Sequence, residues 1–134
     1  MSKLIPLVAA FLASTSLAVA APDPVRTETV QFAKGASSKT ITGSVKGYAT
    51  VDYVVGLKAG QTLKVSMKTS NASSYFNIVA PGADEALFVG SSSGNSYAGK
   101  VAASGSYKVR VYLMRNAARR NETAKYTLTI GAAG

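Results

Sequence analysis

Between residues 106 and 114 the chain reads SYKVRVYLM, and between 62 and 68 it reads TLKVSMK. In both stretches every second side chain is large and apolar. Successive side chains of a β-strand point to opposite faces, so this alternation predicts strands with one buried face and one wet face. It places Tyr107, Val109, Val111 and Leu113 on one side, with Lys108, Arg110, Tyr112 and Met114 on the other. In the same way it groups Leu63, Val65 and Met67 against Lys64, Ser66 and Lys68. The pattern recurs at 49–57, where Val51, Tyr53, Val55 and Leu57 align, and at 125–131 with Tyr126, Leu128 and Ile130. Weaker or shorter strand signals lie at 25–32, 40–45, 75–80, 86–89 and 97–101. Turn chemistry separates them: KGASSK, KAGQ, Pro81-Gly82, GSSSGNSYAG and Ser104-Gly105. No segment carries a helical period for more than a turn or two.

Strands that alternate, rather than running continuously apolar, argue for antiparallel pairing with one solvated face. Short strands at this spacing predict an all-β fold, a single antiparallel β-sandwich of about eight short strands with one long basic loop near the C-terminus. The expected core includes Leu63, Val65, Val109, Val111, Leu128 and Ile130.

The 134-residue length points to one domain. Residues 1–20 read as a secretory signal peptide, with a basic start at Lys3, an apolar run over 4–12, and the small-residue pattern Ala18-Val19-Ala20. The apolar run is too short to span a membrane and is broken by Pro6. Cleavage after Ala20 would leave 21–134 as the mature domain, with 21–24 a flexible leader, exported to the periplasm. No cysteine is present, so such a domain must rest on its apolar core. No histidine is present either. That removes the usual general base, every Ser-His-Asp arrangement and the commonest metal ligand. No cofactor or metal is expected, and an enzyme is not the reading. Asp52, Asp84 and Glu85 are the only central carboxylates, and the last two sit on a turn where acids are ordinary.

The formal net charge is +9 for the whole chain. A balance this positive points to anionic partners, and export leaves nucleic acid a poor candidate. The charge concentrates in MRNAARRNETAKY, residues 114–126, which holds Arg115, Arg119 and Arg120 with only Glu122 to balance them. A connection of about twelve residues is long for two strands of a sandwich, and long loops are often functional. Asn116 is suited to cap a helical turn over 117–120, with Asn121 as its stop. That turn would set Arg115 and Arg119 on one side. Guanidinium forks grip carboxylates in two-pronged fashion. The plainer alternative is that the arginines only solvate a long loop.

The run SGSYKVRVYLMRNAARRNETAKY, residues 104–126, resembles the C-terminal signature of periplasmic inhibitors of goose-type (g-type) lysozyme. The matched positions are Ser104, Gly105, Tyr107, Arg110, Val111, Arg115, Asn116, Ala118, Arg119, Asn121, Thr123 and Tyr126. Upstream, FAKGASS, SVKGY and KAGQ resemble further turns of that family in the same order. Residues 70–100 depart from its pattern. The resemblance implies a small β-sandwich that plugs the active-site cleft of a goose-type lysozyme, its protein partner, and so protects peptidoglycan. Carried over by position, it implies that Arg115, Asn116 and Arg119 form the inhibitory loop. It also implies that Tyr48 is a second insertion and that Ser104 flanks it. Without the resemblance, Tyr48 can equally close a core edge, and Ser104-Gly105 reads only as a turn. Tyr107 and Tyr126 fall to the core, and Arg110 stays undecided. The rival reading is a periplasmic module binding glycan or envelope polymer through Tyr48, Tyr75 and the basic loop.

Overall fold

The computed structural model describes residues 25–134; the expected signal peptide and leader lie outside the described residues. Nine strands and two short helices follow in chain order. They are β1 (Val25–Thr29), β2 (Ser38–Lys46), β3 (Thr50–Leu57), β4 (Thr62–Thr69), β5 (Ser74–Val79) and β6 (Ala86–Val89). Then come α1 (Gly90–Ser93), β7 (Ser96–Lys100), β8 (Gly105–Leu113), α2 (Arg115–Arg119) and β9 (Thr123–Ala133). The strands form two sheets, ordered β1-β3-β8-β5-β6 and β2-β9-β4-β7.

The alternating segments bury the faces that their period predicts. Tyr107, Val109, Val111 and Leu113 point inward from β8, and Leu63, Val65 and Met67 from β4. They meet Val51, Tyr53, Val55 and Leu57 of β3 and Tyr126, Leu128 and Ile130 of β9 in one core between the sheets. All six residues expected in the core are buried. Two core tyrosines satisfy each other: the Tyr53 and Tyr126 hydroxyls lie 2.7 Å apart, with the rings edge to face. Burial, and then the hydrogen bond with Tyr53, push the Tyr126 phenol pKa well above its ordinary value. Gly43, opposite Tyr126 in the register, makes room for that ring; a Cβ there would stand 2.7 Å from Tyr126 Oη.

One pairing departs from the antiparallel expectation. β1 runs parallel to β3, with Val25 opposite Thr50 and Thr29 opposite Val54. The chain leaves β1 in the first sheet, crosses to β2 in the second, and crosses back to β3. Two reversals restore the original direction. Alternation cannot reveal this, because β1 is exposed along its whole length and shorter than the 25–32 segment expected. Every other strand pairing is antiparallel.

The buried acid Asp52 also finds its reason here. It projects from β3 opposite Arg110 of β8, and the guanidinium holds it with two hydrogen bonds, 2.6 Å from Nε and 2.8 Å from Nη2. Asp52 is only 3% exposed, so this bidentate pairing offsets the cost of burying a charge. Arg110, undecided from sequence, is a sheet-bracing residue. The Asp52 bonds and, beyond them, its charge hold the Arg110 pKa above its ordinary value against the opposing effect of burial.

A candidate partner-binding pole

β8 ends at Leu113, whose neighbour in the register is Ser74 of β5. The next amide, Met114 N–H, donates to the Ser73 carbonyl at 2.9 Å. Pinned there, the chain turns at once into α2 rather than passing through a loop. The helix therefore begins at Arg115, and Met114 holds the N-cap position without a side-chain cap. This corrects the expectation that Asn116 caps a turn starting at Ala117. Asn116 is instead the second helical residue, and its side chain is exposed.

Ala117 and Ala118 are buried against the end of the sandwich. Small side chains let the helix sit close to the core, and its 3.6-residue period then turns Arg115, Asn116 and Arg119 outward. The expected stop is realised: Asn121 adopts the left-handed conformation at φ 58° and donates its N–H to the Ala118 carbonyl at 2.9 Å.

Two further turns close against α2. In the turn after β2, Gly47 N–H donates to the Glu122 carbonyl at 2.9 Å. Gly47 has φ 62°, and a Cβ there would stand 2.7 Å from Asn121 Oδ1. Glycine is thus required both by the backbone and by the close approach. Its neighbour Tyr48 is 46% exposed on the same pole, an aromatic surface beside the arginines. From the turn after β4, Asn71 Nδ2 donates to Glu122 Oε1 at 2.9 Å, while Asn71 Oδ1 accepts the Ser73 N–H at 2.9 Å. Glu122 is held from its other side by Arg120, with Nη2 at 2.7 Å and Nε at 2.8 Å. The Asn71 hydrogen bond, then the Arg120 bond, lower the Glu122 pKa.

Charge at this pole is therefore divided. Among the described residues the ion pairs are Arg26–Glu28, Arg110–Asp52 and Arg120–Glu122. Arg115 and Arg119 take part in none of these, and both are exposed. Arg120, their neighbour, is neutralised internally. Sequence reasoning missed the bracing by Asn71 and Glu122, because they lie 51 residues apart and Asn71 reads locally only as a turn residue. It also missed Met114, 38% exposed beside the arginines, although its place on the wet side of the β8 alternation was available.

Ser104 lies elsewhere. It precedes β8 at the opposite end of the sandwich, where its Oγ accepts the Ala59 N–H at 2.9 Å. The nine residues of β8 separate it from Arg115 by roughly 30 Å at about 3.3 Å per residue. The expectation that Ser104 flanks Tyr48 is corrected: Tyr48, Arg115, Asn116 and Arg119 share one pole, and Ser104 belongs to the other. Among the described residues no group of three or more potential metal ligands occurs, and no helix is long and apolar enough to cross a membrane.

The fold and this pole define a class: a small β-sandwich with an exposed, cationic helical turn seated on one end by buried alanines. Comparison with known proteins gives the class its family. No family model matches the chain. A curated relative, an inhibitor of g-type lysozyme from Escherichia coli strain K12, is 35% identical over 129 residues, covering 92% of this chain and 90% of the relative. Among solved structures, the g-type lysozyme inhibitor PliG of Aeromonas hydrophila superposes with a TM-score of 0.76 at 38% identity, covering 83% of this chain and 99% of that one. A mutant of Escherichia coli PliG matches with a TM-score of 0.62 at 34% identity, over 81% and 98% of the two chains. This chain belongs to the family of g-type lysozyme inhibitors.

Proposed function

We propose that this protein is a periplasmic inhibitor of g-type lysozyme that acts by lodging its basic pole in the enzyme's acidic cleft. The homologues are inhibitors named for that lysozyme, and the matched solved structures are described as periplasmic. The observation that carries the mode of action is the divided charge of the pole. Arg115 and Arg119 are exposed on one short helix, while Arg120 spends its charge on Glu122.

Glycoside hydrolysis uses carboxyl groups flanking the scissile bond. An arginine brought among them forms charge-assisted, two-pronged hydrogen bonds and excludes sugar and water. Arg115 and Arg119 fill that role in this reading. Asn116 supplies a neutral donor and acceptor between them, and Tyr48 adds an aromatic flank. The buried alanines, the Gly47 contact and the Asn71–Glu122–Arg120 bridge hold the helix in place before binding. Less conformational freedom is then lost on association.

The test is a titration of g-type lysozyme activity against peptidoglycan with parent protein, Arg115→Ala and Arg119→Ala, each with its thermal melt. Loss of inhibition with an unchanged melt supports the reading. Full inhibition by both variants overturns it.

A further inference from the structure

The outer face of the β2-β9-β4-β7 sheet has a composition unlike the rest of the molecule. Its outward strand residues are serine, threonine, lysine, glycine and alanine, with no carboxylate and no aromatic among the described residues. Five lysines project from it: Lys46, Lys64, Lys68, Lys100 and Lys125. The register sets them in diagonal series. Lys68 faces Thr127, two residues from Lys125; Lys46 faces Thr123, again two residues from Lys125; Lys64 faces Ala98, two residues from Lys100. Diagonal neighbours in an antiparallel sheet lie roughly 7–8 Å apart, within reach of long side chains. Among the described residues none of these lysines makes an ion pair. Like charges stand together here without acids to relieve them.

Between the lysines the short hydroxyl side chains leave hollows. One, of about 610 Å³, is flanked by Lys68 and Lys125 with Thr42, Ser44 and Thr127 in its floor. A second, of about 440 Å³, lies beside Lys64 with Ser66, Ser96 and Thr129.

We propose that this face binds a carboxylated polysaccharide. The lysines meet its acidic groups, and the serine and threonine hydroxyls, each able to donate and accept, meet its hydroxyls. The same chemistry disfavours the other polyanions. Single-stranded nucleic acid is held largely by aromatic stacking, and the tyrosines that border the two hollows, Tyr126 and Tyr97, belong to the inward-facing side of their strands and pack on the core. A membrane surface is entered through large exposed apolar side chains, and this face carries none larger than alanine among the described residues. The face adjoins the basic pole at Lys46 and Ser70 but does not include Arg115 or Arg119, and polymer held on it would keep an inhibitor close to an acidic wall or envelope.

The experiment measures binding of the full mature chain to polygalacturonate and to neutral dextran by calorimetry, at low and high salt. Expected are binding to polygalacturonate that weakens as salt screens the lysines, and none to dextran. Lys64→Gln/Lys68→Gln/Lys125→Gln should bind at least tenfold more weakly, with an unchanged melt and unchanged lysozyme inhibition. Lys64→Gln/Lys100→Gln should lose less. Arg115→Ala/Arg119→Ala should bind as the parent does. Undiminished binding by the triple variant overturns the proposal, as does equal binding to dextran. Loss of binding in the double arginine variant would move the site to the pole. Binding to vesicles of anionic phospholipid but not to polygalacturonate would replace the polysaccharide with a membrane.

Discussion

The two ends of β8 are built from the same strand and do opposite things. At its start, polar groups are used up within the molecule. Ser104 Oγ accepts the Ala59 N–H, Tyr107 Oη donates to the Ala103 carbonyl at 2.6 Å, and Gly60 N–H donates to the Val101 carbonyl at 2.9 Å. At its finish, α2 turns Arg115, Asn116 and Arg119 into solvent, and the internal bonds serve only to seat the helix. A turn whose polar groups are satisfied internally stabilises the fold. A turn whose charges are left unpaired, yet rigidly placed, has something to offer a partner.

The largest effect should come from the strand that both ends share. Val111 is fully buried between the sheets. Val111→Asp strands a charge there at a cost of several kcal/mol, so both ends should be lost together. The melt should show an unfolded chain at ordinary temperature; a variant as stable as the parent would refute the inward phase of β8.

Next comes the pole itself. Arg115→Ala should weaken lysozyme binding by about 2–5 kcal/mol, as when one member of a desolvated charge pair is removed. Its melt should hold within about 0.5 kcal/mol, since the side chain is exposed. Arg115→Lys should restore only part, because an ammonium lacks the planar fork. Tyr48→Ala should weaken binding by a smaller amount. An inhibition curve for each variant checks all three.

The opposite end should answer the other way. Ser104→Ala removes one exposed acceptor, costing below about 1 kcal/mol of stability, with inhibition unchanged. A Ser104→Ala variant that inhibits poorly while melting normally would bring this end into the binding surface.

The smallest effect is a dependence on acidity. The folded pKa of Glu122 lies below its ordinary value, so its bridge contributes stability that is fully present above about pH 4.5 and is lost as the pH falls through the lower folded value. Glu122→Gln should remove that part of the acid sensitivity. Melts of both proteins between about pH 3 and 6 would show it, and identical pH profiles would mean that the bridge carries no linkage.

Much of this contrast is legible in the sequence. The alternation in 62–68, 106–113 and 125–131 marked the buried faces, because inward residues of a sandwich strand recur with the pleat itself. The cationic bend was legible from composition, and Asn121 from its tolerance of the left-handed region. Asn116 is not the cap, for a reason outside its own segment: the Met114 amide is taken by Ser73, so the helix starts at Arg115 with only Met114 between it and the strand. Ser104 and Arg115 stand close in one sequence signature, yet an extended strand between them makes that closeness a distance. β1 was legible as a strand but not as a parallel one, since direction depends on the path of the chain between sheets.

By itself, then, the sequence determined the strands, their inward faces and the excess of arginine in one bend. These follow from the two-residue period of an extended backbone and from side-chain charge, both local properties. Only the tertiary structure decided that Gly47, Asn71 and Glu122 meet behind α2, that Arg110 is spent on Asp52, and that five lysines share one face. Those neighbourhoods depend on strand order and register between segments up to tens of residues apart, which hydrogen bonding across the sheets sets and no local pattern records.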